Sequence, residues 1–293
     1  MNSTRQMNDY KQLKLIECPR DAMQGWLATI STDHKVRFLN TLLKVGFDTL
    51  DFGSFVSPKA IPQMADTPAV LDRLVMDGSR TKLLAIVANS RGAESAATYS
   101  QITYLGFPFS VSEEFQRRNT NSTIEESLHR VEEIQRICMH NGKHPVIYIS
   151  MGFGNPYGEP WNEEIVINWT KRLATMGINT IALADTIGVA EPEKITRLFK
   201  SLIPEVVGVE FGAHFHSHPD SWKEKIDAAI SGGCKRFDSA MKGIGGCPMA
   251  ADKLVGNLAT EQLVAYFGGP SSVGLDADAF VESLEVAEEI FHV

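Results

Sequence analysis

The sequence predicts an α/β protein, a (β/α)8 TIM barrel with a C-terminal helical extension, and three observations carry that expectation. Apolar runs rich in β-branched residues alternate with amphipathic stretches along the chain. The alternation repeats eight times in about 255 residues, close to the ~250 that one such barrel needs. No Gly-x-Gly-x-x-Gly turn follows the first run, which disfavours an open dinucleotide-binding sheet.

In chain order, the first strand is expected over 14–18, where Leu15 and Ile16 lead to Cys18. The helix over 33–45 repeats apolar residues at Val36, Leu39, Leu42 and Leu43, the spacing of one helical face. A second strand at 49–52 precedes a helix over 68–76 opened by Pro68. The unbroken apolar run after Lys82 marks a third strand, 82–88, followed by an alanine-bearing helix over 92–99. Strand four, 101–107, gives way to a long helix over 123–140, in which Thr123 and Glu126 have capping-box spacing. Strand five (145–151) and strand six (180–184) are apolar runs, each followed by an amphipathic helix, over 163–176 and 191–201. Strand seven (208–214), a helix over 220–231, strand eight (236–239) and a helix over 260–266 complete the alternation. Beyond it, 275–291 reads as an acidic amphipathic helix suited to covering a barrel face or a partner subunit. The organisation predicted is a flexible segment (1–12), a catalytic barrel (13–270) and a helical extension (271–293), with no linker, repeat or composition break marking a second domain.

Composition narrows the function. The 293 residues are 43% hydrophobic and 22% charged, the balance of a folded globular protein. Lys and Arg number 28 against 36 Asp and Glu, and a net charge of −8 argues against nucleic acid or an anionic membrane as partner. The first twelve residues are polar and no apolar stretch is long enough to span a bilayer, so a cytoplasmic location is expected. Cys18, Cys138, Cys234 and Cys247 lie far apart without a Cys-x-x-Cys pair, as reduced thiols do.

Active sites of such barrels sit on the loops at the C-terminal strand ends. There this chain places Pro19-Arg20-Asp21, Asp51 with the 54–59 stretch, Asp185-Thr186, His214-Phe215-His216 and the loop Gly243 to Pro248. His214 and His216 are two apart, so on a strand both face the barrel mouth, and Asp21 arrives from another odd-numbered strand. Two imidazoles and a carboxylate suit a divalent cation such as Mg²⁺ or Mn²⁺; the same trio also describes a non-heme iron site, and an isolated His-x-His also occurs as a core pair.

Arg20 offers a planar fork for an oxygen that becomes an enolate, or a salt bridge to Asp51 or Asp185. Cys247 lies in a glycine-rich loop that reads as a mobile lid or as a simple turn. Asn257 offers a further hard ligand or a helix cap. Ser57 and Lys59 on one loop, and Asn89 and Arg91 on another, offer a rim suited to phosphates.

These residues resemble the hydroxymethylglutaryl-CoA lyase family, within a wider group of metal-dependent barrels that make or break carbon–carbon bonds. The resemblance runs from about Leu15 to Phe267. It rests on Pro-Arg-Asp (19–21) with Gln24, Ser-Phe-Val-Ser-Pro-Lys (54–59) with Pro62-Gln63-Met64, Val111-Ser112-Glu113 with Asn119 and Asn121, Asp185-Thr186-Ile187-Gly188-Val189, His214 with His216, Gly245-Gly246-Cys247-Pro248, and Gly256-Asn257 with Thr260-Glu261. It implies that Asp21, His214, His216 and Asn257 bind the metal, that Arg20 stabilises the enolate, that Cys247 transfers a proton, and that Asp51 and Asp185 support the site. The implied reaction is cleavage of 3-hydroxy-3-methylglutaryl-CoA to acetyl-CoA and acetoacetate, as in leucine degradation and ketone-body metabolism, by an acyl-CoA-binding homodimer.

The chain departs from the family pattern at Asp51, where a Glu is usual, at Ala22-Met23 and at Ser217, and its 247–257 segment is one residue longer. A related synthase condensing acetyl-CoA with a 2-keto acid shares the Arg-Asp and His-x-His pairs. It is disfavoured by the glycine-rich cysteine loop and by the short sequence after the barrel.

Overall fold

The structure, a computed structural model, describes residues 10–246 and 255–292. Eight parallel strands close a barrel in sequence order. They are β1 (Lys14–Glu17), β2 (Thr49–Ser54), β3 (Lys82–Ile86), β4 (Ile102–Ser110), β5 (His144–Ser150), β6 (Thr180–Asp185), β7 (Glu210–Phe215) and β8 (Arg236–Ser239). Closure is made by β1 on β8, in register from Lys14 opposite Arg236 to Glu17 opposite Ser239. Most of each strand is buried because the outer helices cover one face and packed side chains fill the other.

The helices are α1 (Pro19–Gln24), α2 (Thr32–Val45), α3 (Thr67–Leu71), α4 (Ser90–Ala97), α5 (Glu113–Thr120), α6 (Ile124–Asn141), α7 (Glu163–Thr175), α8 (Pro192–Glu205), α9 (Trp222–Ser231), α10 (Thr260–Tyr266) and α11 (Ala277–Phe291). Among the described residues, no helix is long and apolar enough to cross a membrane. The predicted capping box is present: Glu126 N donates to Thr123 Oγ1 at 3.0 Å, and Thr123 N donates to the Glu126 carboxylate at 2.7 Å.

Two helices have no counterpart in the sequence reading. The Pro19-Arg20-Asp21 stretch is not a loop but the start of α1, with Pro19 in the first turn, where its missing N–H costs nothing. Six residues are too few to show helical periodicity. In α5, Ser112 Oγ accepts from Phe115 N at 3.1 Å, and Glu113–Arg117 and Glu114–Arg118 pair four apart. This helix buries only Phe115 and Gln116, so no apolar stripe betrays it. The helix expected over 68–76 ends at Leu71; Val75 beyond it is 63% exposed and adds nothing to a buried face.

The C-terminal helix α11 covers α2 of its own chain. Phe291 packs edge-on against Trp26 and Phe38, at 5.1 and 6.1 Å between ring centroids. Ion pairs Arg37–Glu289 and Lys44–Glu282 flank this seam. Of the 1–12 segment, the first nine residues lie outside the described ones; Tyr10 packs against Phe267, 5.1 Å between centroids.

Candidate active site

Asp21 and the two histidines meet at the C-terminal mouth of the barrel. One ligand atom from each of Asp21, His214 and His216 lies within 4.8 Å of the others. Asp21 stands on α1 rather than on β1, and His216 sits one residue past β7, its N–H donating to the Asp185 carbonyl at 3.2 Å. The rings of His214 and His216 lie 5.2 Å apart and nearly perpendicular.

Each of the three is oriented by its neighbours. Asp21 Oδ1 accepts from Arg20 Nη1 (3.1 Å) and Gln24 Nε2 (2.8 Å), and Oδ2 accepts from Asn257 Nδ2 (2.8 Å). Asn257 gives its other amide hydrogen to the Ile244 carbonyl at 2.9 Å. Gly245 lets the backbone lie against this contact: its φ is +110°, and a Cβ there would stand 2.5 Å from Asn257 Nδ2. His214 Nδ1 faces Asp238 Oδ2 at 3.0 Å. His216 Nδ1 is buried and, among the described residues, has no hydrogen-bond partner.

Burial alone would raise the Asp21 pKa, but Arg20, His216 and His214 outweigh it and hold the carboxyl down at about 2. Burial and the neighbouring His214 push His216 down to about 4, so its ring is neutral near pH 7 with a lone pair to give. For His214, burial acts against charge, and the Asp238 hydrogen bond overcomes it, raising the pKa. An ionised carboxylate, a neutral imidazole whose buried Nδ1 has no partner among the described residues, and a second imidazole backed by a carboxylate form a hard O/N donor set. That set fits Mg²⁺ or Mn²⁺.

Arg20, 8% exposed, donates through Nε and Nη2 to Asp51 Oδ2 at 3.0 and 2.5 Å. Burial opposes its charge, and Asp51 and Asp21 restore it, raising the pKa. Its ion-pair partners are thus Asp51 and Asp21. Asp185 does not line the cavity: Lys225 Nζ lies 2.6 Å from its carboxylate, which also accepts from Val189 N and Ala190 N. Lys225 donates in addition to the His216 carbonyl at 3.1 Å, so the Asp185–Lys225 pair anchors the histidine's backbone.

The cavity beside these groups encloses about 130 Å³, with Arg20, Asp21 and the histidines on one wall and Val56, Ile61, Ile86 and Phe115 on another. Ser57, Lys59, Asn89 and Arg91 are exposed and none of them lines the cavity. Asn89 also caps α4, its Oδ1 accepting from Gly92 N at 2.9 Å, and Ser57 Oγ accepts from Lys59 N at 3.3 Å. Cys247 lies outside the described residues.

Sequence reasoning missed Asp238, Lys225 and Phe115. Asp238 was discoverable: a carboxylate inside a short strand of a barrel must face a partner, and its register partner is His214. Lys225 on a helix reads as a solvated face, and only the fold brings it to Asp185.

The sequence profile of the HMGL-like family matches residues 13–282. The human cytoplasmic 3-hydroxy-3-methylglutaryl-CoA lyase is 33% identical over 88% of this chain and 69% of its own length. The 3-hydroxy-3-isohexenylglutaryl-CoA/hydroxymethylglutaryl-CoA lyase of Pseudomonas aeruginosa is 32% identical over 94% of this chain and 92% of its own. Among solved structures, the HMG-CoA lyase of Acinetobacter baumannii in complex with coenzyme A and 3-methylmalate superposes with a TM-score of 0.87 at 27% identity, covering 97% of this chain and 92% of that one. By its sequence match from residue 13 to 282 and by the relatives it follows over most of their length, the chain belongs to the HMGL-like family and is a lyase.

Proposed function

We propose that this lyase cleaves 3-hydroxy-3-methylglutaryl-CoA to acetyl-CoA and acetoacetate in a reaction that depends on Mg²⁺ or Mn²⁺. The observation that carries the reading is the convergence of Asp21, His214 and His216 within 4.8 Å, next to a buried arginine at the wall of one cavity. The relatives named above act on this class of thioester, and one is described in complex with coenzyme A.

In this reading Asp21, His214, His216 and Asn257 hold the ion. When bound, it supplies Lewis-acid polarisation of the substrate's oxygens. The substrate's C3 hydroxyl loses its proton to a base, the C2–C3 bond breaks, and its electron pair passes to the thioester as an enolate. C3 becomes the ketone of acetoacetate, and one proton returned to the enolate gives acetyl-CoA, so the reaction balances without water or an oxidant. Asp21, ionised at the cavity wall, offers the carboxylate that takes this proton. Arg20 uses three of its five N–H groups on Asp51 and Asp21, and the remaining two serve the thioester oxygen as negative charge develops.

Asp51 fixes the plane of that fork. Asp185, through Lys225, fixes the backbone of His216. Cys247 is the proposed proton donor to the enolate, and Lys59 and Arg91, with Ser57 and Asn89, receive the phosphates of coenzyme A. A cytoplasmic homodimer is part of the same proposal, checked by fractionation and light scattering.

The test is incubation of metal-free protein with 3-hydroxy-3-methylglutaryl-CoA, with and without Mn²⁺ or Mg²⁺. Equal amounts of acetoacetate and acetyl-CoA that form only with the ion support the reading. No product, or equal turnover after exhaustive chelation, refutes it.

A further inference from the structure

One row of side chains below the candidate metal site, the barrel interior holds a guanidinium. Arg236, the first residue of β8, is 1% exposed, and among the described residues none of its three side-chain nitrogens has a hydrogen-bond partner. Glu210 and Asp48 stand 3.5 and 3.7 Å from Nη1, and Glu210 is already paired with Lys14 at 2.5 Å.

The sheet makes room for it. Arg236 is in register with Gly212 on β7, Gly212 with Ala182 on β6, and Ala182 with Tyr148 on β5. A Cβ on Gly212 would meet Arg236 Cδ at 3.0 Å, so glycine lets the arginine stem pass. Small residues at 182 and 212 leave Tyr148 and Arg236 as the large members of the row. The Tyr148 hydroxyl is likewise buried without a partner among the described residues, and its ring stands edge-on to His214, 5.4 Å between centroids.

Asp238 lies two residues beyond Arg236 on the same strand, so both face the barrel interior. Its Oδ2 meets His214 Nδ1, while its Oδ1 is buried with no partner among the described residues. The groups that keep Arg236 charged against burial are Asp238 first, then Tyr148, Glu210 and Asp48.

A carboxylate oxygen, a phenol and a guanidinium, all buried and none in direct hydrogen-bond contact, are complementary as donors and acceptors. Buried groups of this kind are satisfied by ordered water. We propose that Arg236 is a positioning residue for the metal site: through buried water shared with Tyr148 it holds Asp238, and through Asp238 it fixes the imidazole of His214. This rests on the reading of His214 as a metal ligand. Partners behind a ligating histidine typically set metal affinity by about 10- to 100-fold.

The test is Mn²⁺ titration of the metal-free protein by electron paramagnetic resonance, with no substrate present. Arg236→Met is expected to raise the Mn²⁺ Kd about tenfold, Arg236→Lys to recover part of the loss, and Tyr148→Phe to raise Kd by a smaller factor. The double variant Arg236→Met/Tyr148→Phe should bind no more weakly than Arg236→Met alone, because both act through the same water. Should Arg236→Met fail to fold, Tyr148→Phe decides: it removes one hydroxyl from the ring, and an unchanged Kd overturns the proposal. A Kd for Arg236→Met within twofold of wild type, or additive losses in the double variant, also overturns it. With His216→Ala as reference, loss of binding there but not in Arg236→Met sinks this inference alone. A wild-type protein that binds Mn²⁺ no better than His216→Ala sinks the metal reading and this inference together.

Discussion

Replacing Arg20 by Lys and by Met separates two jobs that the structure gives one side chain. Three of its N–H groups are committed to Asp51 and Asp21, and two remain for substrate. Lysine keeps the charge between two buried carboxylates but cannot hold both and still present a planar pair of donors to a thioester oxygen. Arg20→Lys is therefore expected to fold and bind substrate with little change in KM, while kcat falls about 10²–10³-fold, or roughly 3–4 kcal/mol, the worth of one preorganised donor.

Arg20→Met does more. It leaves Asp51, which is 1% exposed, without a cation, and breaking one side of a buried pair costs about 3–5 kcal/mol. At ~2.1 cal/mol/K per residue for 293 residues, the unfolding entropy is about 0.6 kcal/mol/K, so Tm should drop by about 5–8 °C. Adding Asp51→Asn to Arg20→Met should return most of that Tm and none of the turnover. Steady-state cleavage of 3-hydroxy-3-methylglutaryl-CoA with Mn²⁺ and calorimetry of the metal-free variants read the two effects separately. Intact kcat with a raised KM in Arg20→Lys would mean that Arg20 only binds substrate, and an unchanged Tm in Arg20→Met would refute the ion-pair account.

His216→Ala removes an orphaned buried nitrogen from the donor set and should abolish tight Mn²⁺ binding while leaving Tm of the metal-free protein nearly unchanged; retained binding by titration calorimetry would exclude it as a ligand. Glu17 is buried between Met241 N and Thr260 Oγ1, and burial pushes its carboxyl up to about 8. The folded protein keeps a proton there that the unfolded chain loses near pH 4.5, so this group costs nothing below that pH and costs more as pH rises towards 8. Glu17→Gln should show no such decline, its urea-unfolding free energy gaining on wild type by about 4 kcal/mol between pH 5 and 8; a pH-independent difference would count against it. Cys18, Cys138 and Cys234 are buried, and burial raises their thiol pKa values, the last two to about 12. Alkylation should therefore modify Cys247 first and stop turnover, and Cys247→Ser should keep Mn²⁺ binding but lose most of kcat; a fully active serine variant would assign the proton transfer elsewhere.

The barrel was legible because its cause is local: each strand is an apolar run and each long helix has a periodic face, and eight repeats leave little choice of topology. The meeting of Asp21 with His214 and His216 was legible for a related reason, since loops that follow strands of one barrel end on one face. The route to it was not. Strand order alone places Asp21 at the depth of a strand, whereas α1 lifts it there through a first turn begun by Pro19. A six-residue helix has no periodicity to read. The polar α5 was hidden for the complementary reason, being held by a cap and two exposed ion pairs rather than by a buried stripe.

The polar contacts buried inside the barrel were harder to see because their partners are remote in sequence. Lys225 meets Asp185 across 40 residues, Asp238 meets His214 across 24, and Thr260 meets Glu17 across 243. Each is a polar residue inside an element that burial should keep apolar, and by itself it looks like an error in a strand or a solvated position on a helix. The barrel's closed register resolves that ambiguity. Once β7 is set beside β8, Asp238 falls opposite His214 and Arg236 opposite Gly212, so one strand pairing fixes both the carboxylate behind the imidazole and the cavity that admits the guanidinium. Each is met from another strand or loop: Asp238 Oδ2 by His214 Nδ1 at 3.0 Å, and Arg236 Nη1 by Glu210 and Asp48 at 3.5 and 3.7 Å, so neither charge is buried without a partner of opposite or complementary character.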